Sequence, residues 1–224
     1  MNSYILNIET STKACSVALF NNENLIFLKE HASEDYSHSE TLSTYISNAI
    51  KESGISFIDL SAIAVSMGPG SYTGLRIGVS TAKGLCYALN IPLISISTLQ
   101  AMALGISKEI ISDLYCPMID ARRMEVYSAF YDFSNNIIRE IKADIVDEKT
   151  YERELEKNVV FFGVGAEKLK ATIVHKNAKF IDGFFPSAKY MGVLAFEKFQ
   201  QNIFEDVAYF EPFYLKDFVS GAKN

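Results

Sequence analysis

The residues best placed to do chemistry lie in Met67-Gly68-Pro69-Gly70-Ser71-Tyr72-Thr73-Gly74-Leu75-Arg76, a glycine-rich turn between a buried-strand pattern and a long helical one. Such a turn can aim several backbone N–H groups at an anion, with the positive end of a helix behind them. Gly68, Gly70, Ser71, Thr73, Gly74 and Arg76 are therefore candidates for a phosphate cradle. The turn lacks the lysine of a Walker loop, and the same glycines could serve only to let the helix pack closely. Both readings stand on the sequence. Gly163-Val164-Gly165 carries the same pair of readings, bordering an adenosine or making a packing turn. Asp120 and Glu125 offer carboxylates, and Ser71 and Ser97 offer hydroxyls, but no base accompanies them. Asp120 followed by Arg122 reads as a hydrogen-bonded, partly buried ion pair. The histidines, His31, His38 and His175, are scattered, and no His-Glu-x-x-His occurs.

These residues need elements to hold them. Residues 4–8, 14–20 and 25–30 read as three strands of an antiparallel meander. Ser37-His38-Ser39-Glu40 is a capping box opening a helix to Ser53, with Leu42, Tyr45, Ile46, Ala49 and Ile50 on one face and Gly54 as its stop. A short strand over 62–66 leads through the glycine turn into a second helix. There Leu75, Val79, Ala82, Cys86 and Leu89 share a face, while Gly74, Gly78, Ser80, Thr81 and Gly84 keep the remaining surface thin. Asn90 and Pro92 end it, and 93–97 is a strand.

The second half repeats the plan. Strands are expected at 115–120, 126–132, 137–142 and 159–162, a helix-like charged segment at 148–156, a helix after Gly165, a short strand at 179–181 and a last helix at 187–201. Duplication of this order predicts two lobes, residues 1–105 and 106–224, around a cleft, with the boundary falling within 105–113.

Apolar residues make up 49% and charged residues 21%, enough for two ordinary cores of roughly 100 residues each. The formal net charge of −6 argues against a chain that holds nucleic acid alone, so RNA contact is expected only within a complex. Arg122-Arg123 is the only Arg pair. Cys15, Cys86 and Cys116 form no Cys-x-x-Cys and read as buried hydrophobes in a reducing cytoplasm. No basic leader precedes an apolar run, and no stretch approaches the roughly 18 apolar residues of a membrane span.

The run from Gly68 to Gly78 closely resembles the signature of the TsaB (YeaZ) family. Glu9-Thr10-Ser11-Thr12 with residues 14–19, Ile96-Ser97-Thr98-Leu99, Asp120-Ala121-Arg122 with Glu125-Val126-Tyr127, and Glu211-Pro212-Phe213-Tyr214-Leu215 extend the resemblance over both halves. It implies an α/β fold of the actin, Hsp70 and sugar-kinase type, each lobe a ribonuclease-H-like βββαβα motif. It also implies a role beside TsaD and TsaE in forming threonylcarbamoyladenosine next to the tRNA anticodon. In that family's system the glycoprotease-like paralogue TsaD transfers the group, TsaE is an ATPase, and TsaB is the platform. TsaD-like proteins carry a His-x-x-x-His pair where this chain has Thr98 and Met102, neither of which replaces imidazole as a ligand. Actin-like ATPases end their first strand with Asp, and here it is Glu9. They use glycines where Ala121, Arg122, Arg123 and Met124 follow Asp120. What the resemblance leaves is a vestigial anion or nucleotide site of Glu9, Ser11, Gly68, Gly70, Ser71, Thr73, Gly74, Arg76, Asp120, Gly163 and Gly165. ATP and metal would belong to partner subunits, with no cofactor held by this chain alone. Lys216 stands where the family has Arg.

The resemblance further implies dimerisation through the first lobe's two helices, with a second copy or with TsaD, in a four-helix contact. Leu42, Tyr45, Ile46, Leu75, Val79, Ala82, Lys83, Cys86 and Tyr87 are the expected interface. Each helix also spends one face on its own sheet, so Tyr45, Lys83 and Tyr87 must carry the outward contact. The rival readings are a glycoprotease-like metallopeptidase and an actin-like nucleotide-binding protein acting on its own.

Overall fold

Short, largely apolar runs separated by polar turns pair as an antiparallel meander, β1 (Tyr4–Glu9), β2 (Ala14–Asn21) and β3 (Asn24–Ala32), with β1 and β2 buried on both faces. The computed structural model describes residues 2–32 and 38–216. The capping box read from Ser37 therefore begins outside the described residues. On the other edge of β1, β4 (Leu60–Gly68) and β5 (Leu93–Ser97) join in parallel, giving the order β3-β2-β1-β4-β5. Parallel neighbours require crossovers, supplied by α1 (His38–Glu52) and α2 (Tyr72–Leu89). Because successive strand residues point to opposite faces, Leu6, Ile8, Val17 and Val65 meet these helices, while Ile5, Ala18, Phe20, Ala64 and Ile94 face the other way.

The second sheet comprises β6 (Leu114–Asp120), β7 (Glu125–Tyr131), β8 (Ile137–Ile145), β9 (Val159–Phe162) and β10 (Ala178–Ile181). Its order, β10-β9-β6-β7-β8, repeats the first, so the duplication read from the sequence holds at the level of strands. The helices do not repeat. Residues 148–156 form turns with one 3-10 turn at Glu154–Glu156, because Asp147 captures the chain: it accepts from the N–H of Lys149 and the hydroxyl of Thr150. Only Tyr151 and Leu155 plug the core there. The helix expected after Gly165 is likewise a 3-10 turn, Glu167–Leu169. The last helix is broken into a 3-10 turn, Ala188–Tyr190, and α4 (Gly192–Gln200).

Two segments position the lobes. α3 (Thr98–Ser107) is buried on nearly every side, with Leu99, Met102, Ala103 and Ile106 packed against Tyr115, Ile119, Ala129 and Phe162 of the second sheet. The segment after Ser187 follows the second sheet in sequence but packs on the first. Ala188, Met191 and Ala195 cover Ile5, Phe20 and Ala64, and Glu205 bridges to Leu93. Among the described residues, no helix is long and apolar enough to cross a membrane.

Candidate functional site

The glycine turn that sequence reading singled out meets the β1–β2 turn at the C-terminal ends of β1 and β4. The glycines are spaced to admit backbone. A β-carbon at Gly70 would lie 2.3 Å from the carbonyl oxygen of Ser11, at Gly74 2.1 Å from that of Thr10, and at Gly78 2.2 Å from Thr10 Oγ1. Thr10 Oγ1 donates to the carbonyl of Gly74 (2.8 Å), and Ser71 N–H donates to the carbonyl of Ser11 (2.6 Å). Ser71 Oγ caps α2 by accepting from Gly74 N–H (3.3 Å). The N–H groups that a phosphate would use at this helix start are thus partly taken by the β1–β2 turn, and the packing reading of the glycines is the one the geometry supports.

Glu9 sits beside this contact, 1% exposed. Its Oε1 accepts from Ser11 N–H (2.5 Å) and Ser66 Oγ (3.0 Å), and no ion pair reaches it among the described residues. Burial raises its pKa, opposed by the hydrogen bonds from Ser11 and Ser66. Ser97, the other hydroxyl considered as a nucleophile, caps α3 by accepting from Gln100 N–H (3.4 Å).

Across the cleft, the expected Asp120–Arg122 ion pair does not form. Asp120 is exposed and pairs with Lys168, and Arg122 contributes only its backbone N–H (3.0 Å). A strand-end Asp followed two residues on by Arg reads as a partly buried pair from sequence. The β6–β7 turn instead swings the Arg122 side chain outward while Lys168 reaches in from the turn after β9, also donating to the carbonyls of Arg123 (2.6 Å) and Glu125 (2.8 Å). Gly163 and Gly165 are packing glycines: β-carbons there would strike Met118 O at 2.5 Å and Ile119 C at 2.8 Å. Thr98 and Met102 are buried inside α3, and the Met102 methyl lies 2.7 Å from where a Gly163 β-carbon would be. Among the described residues, no three His, Cys, Asp or Glu side chains are grouped to hold a metal ion.

The interface residues divide sharply. Leu42, Ile46, Val79, Ala82 and Cys86 are buried against the chain's own sheet and Leu75 is buried beside Gly68, so these six are core, because a stripe of that width is consumed by covering β1, β2 and β4. Tyr45 is half-buried. Lys83 does not reach outward either: Nζ donates to the carbonyls of Ala208 (3.1 Å) and Phe210 (3.0 Å), clamping the C-terminal tail. Only Tyr87, 85% exposed, stands free. The outer face of the pair is thin, with Ser43, Thr44 and Ser47 on α1 and Thr73, Arg76, Ser80 and Gly84 on α2. Between the helices runs a groove of about 340 Å³ lined by Leu42, Ser43, Arg76, Ile77, Ser80 and Thr81.

Sequence reading missed the tail as a structural part. Phe213 N–H donates to the carbonyl of Met67 (2.8 Å), Tyr214 stacks obliquely on Tyr72 with centroids 4.8 Å apart, and Lys216 pairs with Glu125 of the second lobe. The tail thereby runs from the glycine turn to the β6–β7 turn. In the sequence its one signal is the family resemblance at Glu211–Leu215, since the segment carries no periodicity.

Comparison with known proteins identifies the family. The model of "TsaD: tRNA N6-adenosine threonylcarbamoyltransferase" matches residues 30–220. "tRNA threonylcarbamoyladenosine biosynthesis protein TsaB" of Escherichia coli (strain K12) is 33% identical over 98% of this chain and 97% of its own length. The chain belongs to the TsaB (YeaZ) family. The protein of the same name from Haemophilus influenzae is 30% identical over 99% of this chain and 97% of its own. The solved structure of YeaZ from Pseudomonas aeruginosa, at 24% identity, covers 95% of this chain and 100% of that one with a TM-score of 0.79. The TsaB family is a paralogue of the TsaD family, and the two five-stranded sheets, repeating one strand order, have the YeaZ fold.

Proposed function

We propose that this chain is a non-catalytic subunit of the assembly that forms N6-threonylcarbamoyladenosine on tRNA, with its first lobe docking a TsaD-type paralogue and the pair recruiting a TsaE-type ATPase. The supporting relatives are named for biosynthesis of this nucleoside. The observation that carries the docking role is Gly84. It lies exposed in the middle of an 18-residue helix, and a β-carbon there would meet nothing within 4 Å. Glycine in such a place costs about 1 kcal/mol relative to alanine, with no packing return inside the chain. Close approach by a partner helix across the α1–α2 groove gives the glycine a use, with the exposed ring of Tyr87 at the margin. A homodimer through the same face would form when the paralogue is absent.

The non-catalytic part rests on how the polar groups are spent. Ser71 and Ser97 cap helices, Glu9 is sealed behind the β1–β2 turn, Asp120 is paired with Lys168, and Thr98 with Met102 offers no ligand pair. ATP and metal are then the partners' business. The test is reconstitution with the TsaD-type and TsaE-type proteins, carbamoyl donor and tRNA: omitting this chain should abolish the modified nucleoside. Gly84→Phe should fold normally yet lose association with the paralogue. Modification that proceeds without the chain, or undiminished association of Gly84→Phe, would overturn the reading.

A further inference from the structure

Six described residues other than glycine have positive φ, and four of them, Asn22, Asn90, Asn135 and Asn202, are asparagines, the side chain that tolerates the left-handed region best. The two exceptions are adjacent: Arg122 at φ 71° and Arg123 at φ 49°, at the tip of the β6–β7 turn. The fold has no need of arginine there. Both side chains are exposed, and neither enters an ion pair among the described residues. The nearby carboxylates are already engaged, Asp120 by Lys168 and Glu125 by Lys216.

The turn is tied to the C-terminal tail, because Lys216 pairs with Glu125. Arg76 lies over the Tyr72 ring at 5.3 Å, and Tyr72 stacks on Tyr214. Tyr214 and Lys216, which joins Glu125, are two residues apart, a span of at most about 7 Å. One short stretch of tail therefore joins the arginine turn to the glycine turn of the first lobe.

We propose that Arg122 and Arg123 form a contact surface for the phosphodiester backbone of an RNA strand. The inference rests on the proposed function, which makes that RNA the tRNA to be modified. Two guanidiniums outside any ion pair, on a chain of net charge −6, neutralise few phosphates, so this surface adds to a larger site completed by the partner and does not bind tightly alone. Guanidinium forks suit phosphate oxygens.

The test exploits the backbone. Arg122→Asn/Arg123→Gly removes both charges and supplies residues suited to positive φ, so the variant should fold with a Tm raised by about 4 °C. Fluorescence anisotropy with a labelled anticodon stem-loop RNA would be read on the full chain assembled with its TsaD-type partner. The variant should bind about tenfold more weakly at low salt, with the slope of log affinity against log salt shallower by about 1.5. Arg122→Lys/Arg123→Lys should stay within about threefold of the wild type, as point charges still attract phosphate. Unchanged RNA affinity in the Asn/Gly variant overturns the proposal. So does lost affinity for the partner with RNA binding intact, which would assign the turn to an acidic protein surface. Displacement of the RNA by micromolar inorganic triphosphate would assign it to a nucleotide and also overturn it. If the assembly needs this chain for modification while the Asn/Gly variant binds RNA normally, only the arginine surface is lost. If modification proceeds without the chain, the subunit reading itself falls.

Discussion

On a solvent-facing helix, replacing Gly78 by alanine would stabilise by about 1 kcal/mol. Here the new methyl would arrive 2.2 Å from Thr10 Oγ1, in a site where Thr10 is fully buried and its hydroxyl is held by the carbonyl of Gly74 at 2.8 Å. To make room, Thr10 must leave that bond, losing about 1 kcal/mol, and the turn must bear overpacking of about 2 kcal/mol. Against the helix gain, the net is a loss of about 2 kcal/mol, or a Tm lower by about 4–8 °C for a chain of this size. Thr10→Ala supplies the second arm. It gives up the same bond, but its β-carbon lies 3.5 Å from the new methyl, an ordinary contact. Thr10→Ala/Gly78→Ala should therefore be more stable than Gly78→Ala alone, with a coupling of at least about 1 kcal/mol. Thermal unfolding followed by circular dichroism, with urea titration as a check, measures all four proteins. A raised Tm for Gly78→Ala, or strict additivity in the double variant, would refute the claim that these glycines exist to seat α2 on the β1–β2 turn.

Glu9 carries a pH signature. Its folded pKa is raised, so its contribution is fully present below the unfolded value of about 4.3 and is lost as pH rises through the folded pKa. Glu9→Gln cannot ionise, so its Tm minus that of the wild type should grow between pH 4 and pH 8, and a flat difference would show that Glu9 ionises normally. Lys83→Met removes both anchors of the tail, at Ala208 and Phe210. Amide exchange across residues 206–214 should speed by about tenfold with little change in global Tm, each partly exposed hydrogen bond contributing about 1 kcal/mol.

Strands and the duplication were legible because short apolar runs bounded by polar turns are local: Ile5 and Leu6 mark a strand together, although only the fold shows that they face opposite cores. α3 was not legible as the piece joining the lobes, since a helix buried on all sides has no amphipathic period. The charged run at 148–156 read as a helix because propensity ignores that Asp147 offers the backbone a competing turn.

For the site, sequence alone established that a glycine-rich turn enters a helix, that no His pair follows β5, and that α1 and α2 carry apolar stripes. Tertiary structure decided what each was for. Which side of a helix meets its own sheet, which carbonyl fills the space over a glycine, and which lysine reaches a given carboxylate are all set by residues far away in the chain. Thr10 and Gly78 meet, and so do Lys168 and Asp120, only after two sheets have formed, and no local pattern encodes contacts at that separation.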